Sequence, residues 1–377
     1  MTIEQLFFEL IRVALGNADK LSHKPTDNEW KQLYDMAKKQ SLVGICFAAV
    51  QRLPEDMRPP EMLYLTWMGM AAKIQQRNEV LNGYTKKALE LFRKDGFECS
   101  VLKGQVIAAL YRLHDNVNDD DDFTSKDSIN HKPSSINLTG LRQSGDIDLW
   151  VQGGRKKLYD YSLRTFGKLE GLTYHHIHFP IWEDVEIEAH TWPSFLSSPI
   201  RNKRLQEFCK MNATNEDIPS LAFNRVFILL HCYLHFAGHG VGLRQILDYQ
   251  FVLLQGFTEA EKVETLKWFD RLGMMQFAHA VMWVSKEVFG LPDKYLLCEP
   301  NEESGRFLLD EVMQTGNMGH ADERVDHRQL QTALGRYLFN LKRDFRILRI
   351  CPHEALWEPI ASVYYNIWKL KYIKYTR

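Results

Sequence analysis

A chain of 377 residues with 45% apolar and 25% charged residues is long enough for two or three hydrophobic cores and has the composition of an ordinary globular protein. Its formal charge of −1 excludes a general electrostatic pull toward nucleic acid or anionic membrane, so any such contact must come from a local patch. The six cysteines (Cys46, Cys99, Cys209, Cys232, Cys298, Cys351) are far apart with no CxxC pair, and read as scattered reduced thiols rather than a disulfide framework or a zinc site.

The chain opens with MTIEQLFFELIRVAL, where Glu4 and Glu9 interrupt an apolar pattern with no basic leader, so an amphipathic helix is expected rather than a signal peptide. Helical spacing continues through NEWKQLYDMAKKQSLVGICFAAV and NEVLNGYTKKALELFRKDG, the latter stopping at Gly96, a good C-terminal cap. FECSVLKG then reads as a strand running into Lys103-Gly104, and QVIAALYRL as a short helix. Residues 114–143 are nearly free of apolar side chains and contain the run Asp119 to Asp122. A long, mobile acidic loop is expected there, without the ligand spacing of a calcium-binding hand.

GDIDLWV follows as a strand, then a helix over GRKKLYDYSLRTFGKLEG, then strands TYHHIHF and VEIEAH joined by PIWED as a hairpin. From about Pro199 the chain is predicted helical to its end. FNRVFILLHCYLHFAGHGVGL is its most apolar stretch, but Arg225, His231, His235 and His239 interrupt it. No membrane insertion is expected, and a cytoplasmic protein is. The fold class expected is α/β (α+β): a small mixed-sheet core over 96–195, flanked by a helical region over 1–95 and a helical domain over 196–377.

The stretch SGDIDLW poses the chemical question. Residues i and i+2 of a strand share a face, so Asp146 and Asp148 stand side by side, and two neighbouring carboxylates repel unless a cation lies between them. By the same rule VEIEAH puts Glu186, Glu188 and His190 on one face. Three carboxylates on neighbouring strands suit Mg²⁺, which keeps several waters and takes further ligands from phosphates. Gly104, at a strand-to-helix turn, would let backbone approach a phosphate, with Lys103 adding a point charge. Arg142 is read as a structural residue rather than a phosphate ligand.

These elements together resemble the uncharacterised bacterial nucleotidyltransferase family, within the DNA polymerase β-like nucleotidyltransferase superfamily. VLKGQVIAALY, RQSGDIDLWV, VEIEAHTW and FILLHCYLHFAGHGVGLRQILDY carry the likeness over about residues 75–255. The resemblance implies that Asp146 and Asp148 bind metal, that Glu188 is the third carboxylate, and that Gly104 belongs to the nucleotide-cradling turn. Lys103 and Gly145 join Gly104 as expected substrate contacts. It also implies two Mg²⁺ ions, with Mn²⁺ as an alternative, and an NTP such as ATP whose nucleoside monophosphate passes to an acceptor hydroxyl. The acceptor, small molecule, nucleic acid or protein, is not indicated. Gln105 departs from the usual second glycine or serine, and the acidic loop swells the spacer before the aspartate strand.

Two other readings remain. One is a nucleotidyltransferase-fold binding protein that has lost catalysis. The other is a phosphohydrolase whose metal would need His231, His235 and an aspartate together. His231 and His235 share a helix face, where packing or a substrate-facing role is expected. His175 to His178 could bind metal adventitiously, but a hydrated hairpin strand is expected there, and Arg244 and Asp248 are expected in an intrahelical ion pair that the family pattern places near the site. Arg336, Lys342, Arg343, Arg346 and Arg349, then Lys369, Lys371, Lys374 and Arg377, read as solvated helix faces with the alternative of an acidic partner.

Overall fold

The computed structural model describes residues 1–114, 135–319, 321, 322, 324 and 332–376; the acidic run Asp119 to Asp122 lies outside them. The chain begins with α1 (Ile3–Ala14), α2 (Asp27–Lys39), α3 (Val43–Arg52) and α4 (Glu61–Lys94). Reciprocal hydrogen bonds of Thr2 with Gln5 and of Thr26 with Glu29 satisfy the first backbone N–H groups of α1 and α2. The helical pattern over 28–50 is broken in the structure at Ser41, whose φ of +56° ends α2 and turns the chain into α3. α4 ends where predicted. Gly96 takes φ +78°, its N–H donates to Arg93 O, and the Phe97 N–H donates to Phe92 O, the paired bonds of a Schellman cap.

β1 (Cys99–Leu102) leads into α5 (Gly104–Ala108), then β2 (Arg112–His114) pairs antiparallel with β3 (Ser135–Asn137). The helix expected over 105–113 is therefore cut to little more than one turn. Tyr111 explains the stop: its ring is fully buried, stacks 3.9 Å from Phe251, and its hydroxyl donates to Asp248, contacts a continued helix would forfeit. β4 (Ile147–Val151), α6 (Gly154–Phe166), β5 (His176–His178) and β6 (Ile187–His190) complete the strands among the described residues. The helices α7 (Pro199–Met211), α8 (Leu221–Gly238), α9 (Leu243–Leu253), α10 (Glu259–Leu272), α11 (Met275–Phe289), α12 (Glu302–Thr315), α13 (Ala333–Ile347) and α14 (Pro352–Leu370) follow.

The larger sheet has the order β1-β4-β6-β5, with β4 and β6 parallel and the outer pairs antiparallel, so the fold is α+β with a mixed sheet. β4 is buried along its whole length. Burying a side chain such as Ile147 or Leu149 contributes about 1.5–3 kcal/mol. A one-residue slip would exchange those side chains for Asp148 on the apolar face, so burial also sets the register.

The helices before and after the sheet meet. α1 packs on α3 and α11, while the Gln40 amide donates to Val312 O and its Oε1 accepts from the Leu243 N–H. Among the described residues α8 is the one helix long and apolar enough to cross a membrane, and 67% of it is buried inside the protein. It serves as a core helix that lays one side against the sheet's carboxylate end.

Candidate active site

Strand register brings the predicted carboxylates together. Asp148 on β4 sits opposite Glu188 on β6, and Leu102 of β1 flanks Asp148 on the other side. Lys103, next in the chain, holds φ +51° and ψ −134°, a conformation that costs a non-glycine residue about 1–3 kcal/mol. Its ammonium lies 2.7 Å from Asp148 Oδ1 and is largely buried, not solvent-facing. His190 Nε2 lies 2.8 Å from the same oxygen and 3.2 Å from Glu188 Oε2. Glu188 is thus the inward carboxylate; Glu186, with its side chain 55% exposed, turns outward to His178 Nδ1 at 2.6 Å.

The charges are unequally matched. Burial disfavours ionised Asp148, but Lys103 and His190 outweigh it and hold the carboxyl well below the usual range. Burial likewise works against charged His190, yet its hydrogen bonds to Asp148 and Glu188 raise its pKa. Asp146 has no ion pair among the described residues: the charge on Asp148, then burial, outweigh the more distant Lys103 and push it up to about 6. Proximity has left one carboxylate without a matching cation.

The turn after β1 has open space. A Cβ built on Gly104 would meet only the Asp146 carbonyl oxygen, at 3.8 Å, and one on Gly145 would meet nothing within 4 Å. Protein packing requires glycine at neither position, so the missing side chains leave room on the site's own side. Gln105 points both amide atoms into a buried space where neither has a hydrogen-bond partner among the described residues. Buried polar groups are seldom left so, and ligand-binding positions are a common exception.

A cleft beside this turn is lined by Lys103, Gly104, Arg142, His231, Arg244 and Asp248. Asp248 belongs chiefly to Arg142, which grips it with Nε–Oδ1 and Nη2–Oδ2 bonds of 2.7 Å each, while Tyr111 donates to Oδ1 at 2.6 Å. The expected Arg244–Asp248 pair is loose, at 3.7 Å, because Arg142 already occupies both oxygens. Burial and then repulsion from Arg142 lower the Arg244 pKa, and its Nε has no hydrogen-bond partner among the described residues. His231 and His235 meet edge to face at 4.1 Å on α8, with burial first and then His235 holding His231 well below its ordinary pKa. No aspartate joins these two histidines in a metal-sized group among the described residues, the arrangement that the phosphohydrolase reading requires.

The hydrated hairpin strand expected at His175 to His178 is overturned. β5 lies against β6, His176 is 8% exposed, and Phe195 covers His175 at 5.0 Å. Burial, then the neighbouring His190, lowers the His176 pKa to about 3, so its ring is neutral. Three groups of side chains come close enough to hold a metal ion: Asp148, Glu188 and His190; His176, His178 and Glu188; and His175, His176 and His190. Period-two spacing places His190 with Glu188, whereas the histidines of β5 join them only through the pairing of β5 with β6.

The first basic cluster near the C-terminus is partly spent inside the fold: Arg343 pairs with Asp344, Arg346 with Glu311, and Arg349 with Glu303. Lys369, Lys371 and Lys374 are exposed as expected, but α14 also exposes Ile360, Val363, Ile367 and Leu370, each by more than half.

A family model described as an uncharacterised nucleotidyltransferase matches residues 26–114 and 138–290 of the chain, ranges that hold every side chain of the site above. No curated protein and no solved structure matches it.

Proposed function

We propose, from the premise that this chain belongs to the uncharacterised nucleotidyltransferase family, that it moves a nucleoside monophosphate from an NTP to an acceptor hydroxyl. Kinship with the polymerase β-like superfamily is part of the same proposal. The observation that carries it is the cluster of Asp146, Asp148 and Glu188, in which Asp148 pushes the Asp146 pKa up, beside a cleft where Lys103 and Arg244 stand next to an Asp248 already bound by Arg142. One side suits a hard divalent cation and the other suits a polyphosphate.

The donor set fits Mg²⁺, or Mn²⁺ in its place: oxygen ligands, a shared face, and a carboxylate whose raised pKa a cation would restore. When bound, one or two such ions neutralise phosphate charge and sharpen the attacking oxygen. Asp146, Asp148 and Glu188 would hold them. Glu188 would take the acceptor's proton as that oxygen bonds to the α-phosphorus and the bond to pyrophosphate breaks. Lys103 exchanges Asp148 for a phosphate oxygen, Arg244 orients the terminal phosphates, and the Gln105 amide donates where a hydroxyl would otherwise serve. The open space at Gly104 and Gly145 admits the phosphate chain. Catalysis is then mostly positioning and charge neutralisation.

One observation favours the second reading, a nucleotide-binding protein without turnover: Asp148 is already held by the Lys103 ammonium and the His190 imidazole. Titration calorimetry with each NTP, with and without Mg²⁺, on the native chain and the Asp146→Ala/Asp148→Ala variant separates the cases. Mg²⁺-dependent binding lost in the variant supports the transferase, with pyrophosphate release on adding acceptor candidates as its second mark. Binding that ignores Mg²⁺ supports the second reading, and no NTP binding at all sinks both.

A further inference from the structure

His176 and His178 lie two apart on β5, hence on one face, and the antiparallel register sets His178 directly opposite Glu188. His178 Nε2 stands 3.7 Å from Glu188 Oε1, and His176 Nδ1 stands 3.4 Å from Glu188 Oε2. Ligands about 2.0–2.1 Å from a tetrahedral ion sit about 3.4 Å from one another. All three residues offer a ligand atom within 4.8 Å of the others. The side chains of His178 and Glu188 are 27% and 17% exposed, so the position opens to solvent.

A fourth residue completes the pattern. Glu186 Oε1 stands 2.6 Å from His178 Nδ1, a contact that would hold the ring through that nitrogen and leave Nε2, on the Glu188 side, free to ligate. Metal-binding histidines are commonly oriented by a carboxylate on the far nitrogen in this way. In a hairpin built for stability alone, the acid would gain little from so placed an imidazole at the exposed strand edge.

We propose that His176, His178 and Glu188 form a binding site for an imidazole-seeking divalent ion of the Zn²⁺ class, with Glu186 as the positioning residue of His178. Two nitrogens and one oxygen select such an ion over Mg²⁺, which prefers an all-oxygen octahedron. Three protein ligands leave a fourth position for water or a substrate group. The site shares Glu188 with the carboxylate set but does not depend on nucleotide transfer, and an ion there would tether that carboxylate to the edge strand.

Cobalt(II) reports such a site through visible absorption that intensifies in tetrahedral N/O coordination. The full chain, stripped of metal, is titrated with CoCl₂ and then with ZnCl₂ as competitor. The expected result is a stoichiometric absorbing species, displaced by Zn²⁺ but not by millimolar Mg²⁺. His178→Gln should abolish it, and Glu186→Gln should weaken it about 10–100-fold, both with native circular dichroism. Asp146→Asn should leave it intact, so a failure of the nucleotide reading does not mimic a failure here. No absorbing species, an unchanged one in His178→Gln, or one lost in Asp146→Asn overturns the proposal.

Discussion

Asp148 and Glu188 face one another across parallel strands, and a single imidazole nitrogen, His190 Nε2, lies within 3.2 Å of both. That nitrogen bridges two largely buried carboxylates, whose hydrogen bonds raise the His190 pKa. Removing it in His190→Ala leaves Lys103 alone against three acids. Stripping the partner from a buried ion pair destabilises by about 3–5 kcal/mol. We expect a loss of that order in urea unfolding with chelator present, and partial recovery in millimolar Mg²⁺. Equal stability with and without Mg²⁺ in the variant would count against a cation position between these strands.

Asp146 sets a pH dependence of the opposite sign to an ordinary salt bridge. Its folded pKa, about 6, exceeds its ordinary value of 3.8, so the folded chain binds this proton more tightly than the unfolded one. Stability contributed by this group falls as pH rises from about 4 to 6 and stays low above that. Asp146→Asn should therefore be more stable than the native chain at pH 7 by on the order of 1–3 kcal/mol without metal. The difference should close below about pH 4. Melting temperatures of both proteins across pH 4–8 check it, and a native chain more stable than Asp146→Asn at pH 7 without metal would refute the assigned shift.

How far the site was legible follows from which contacts are local. Alternation along GDIDLWV and VEIEAH places Asp146 with Asp148, and Glu188 with His190, because strand geometry is a short-range property. That β6 runs parallel beside β4 with Asp148 opposite Glu188 depends on the path of α6 and the hairpin, which no spacing encodes. The grip of Arg142 on Asp248 spans 106 positions, and a period-based reading assigns that aspartate to its helical neighbour Arg244 instead. Ser41 and Tyr111 interrupt helical patterns for tertiary reasons: a break with positive φ in one case, a buried ring on Phe251 in the other. The imidazoles of β5 read as hydrated because polarity was taken for exposure, whereas burial against β6 and Phe195 is a property of the assembled sheet.

The Arg142–Asp248 clamp ties the chain before β4 to α9, and Asn78 of α4 reinforces it by donating to Arg142 O and Gly140 O at 2.8 Å each. Asp248→Ala leaves a buried guanidinium unpaired and Tyr111 without its acceptor. The expected cost is about 3–5 kcal/mol. Adding Arg142→Met should restore part of that stability in a double-mutant cycle followed by urea unfolding. Additive losses in the double variant would show that the two residues do not act as a pair.

Lys103 lets backbone strain be separated from charge. Lys103→Gly and Lys103→Ala both remove the ion pair with Asp148, but only glycine adopts φ +51°, ψ −134° without penalty. Glycine also has more unfolded-state freedom to lose, so the net advantage should be about 1 kcal/mol over alanine. Equal stabilities would mean the backbone relaxes once the ammonium is gone.

Arg244 bears most directly on the polyphosphate cleft. Arg142 is saturated by Asp248 and Ser144, so its removal would report on folding, whereas among the described residues Arg244 has one distant carboxylate and an unpartnered Nε. Losing a charge-assisted hydrogen bond to phosphate costs about 1.5–3 kcal/mol, or about 10–100-fold in affinity. Arg244→Ala should weaken NTP binding by that factor with little change in melting temperature, and it should weaken binding of the nucleoside monophosphate much less, because the missing contact is to the terminal phosphates. Calorimetry with the tri- and monophosphate measures both. Equal losses for the two ligands would move the terminal phosphates away from α9.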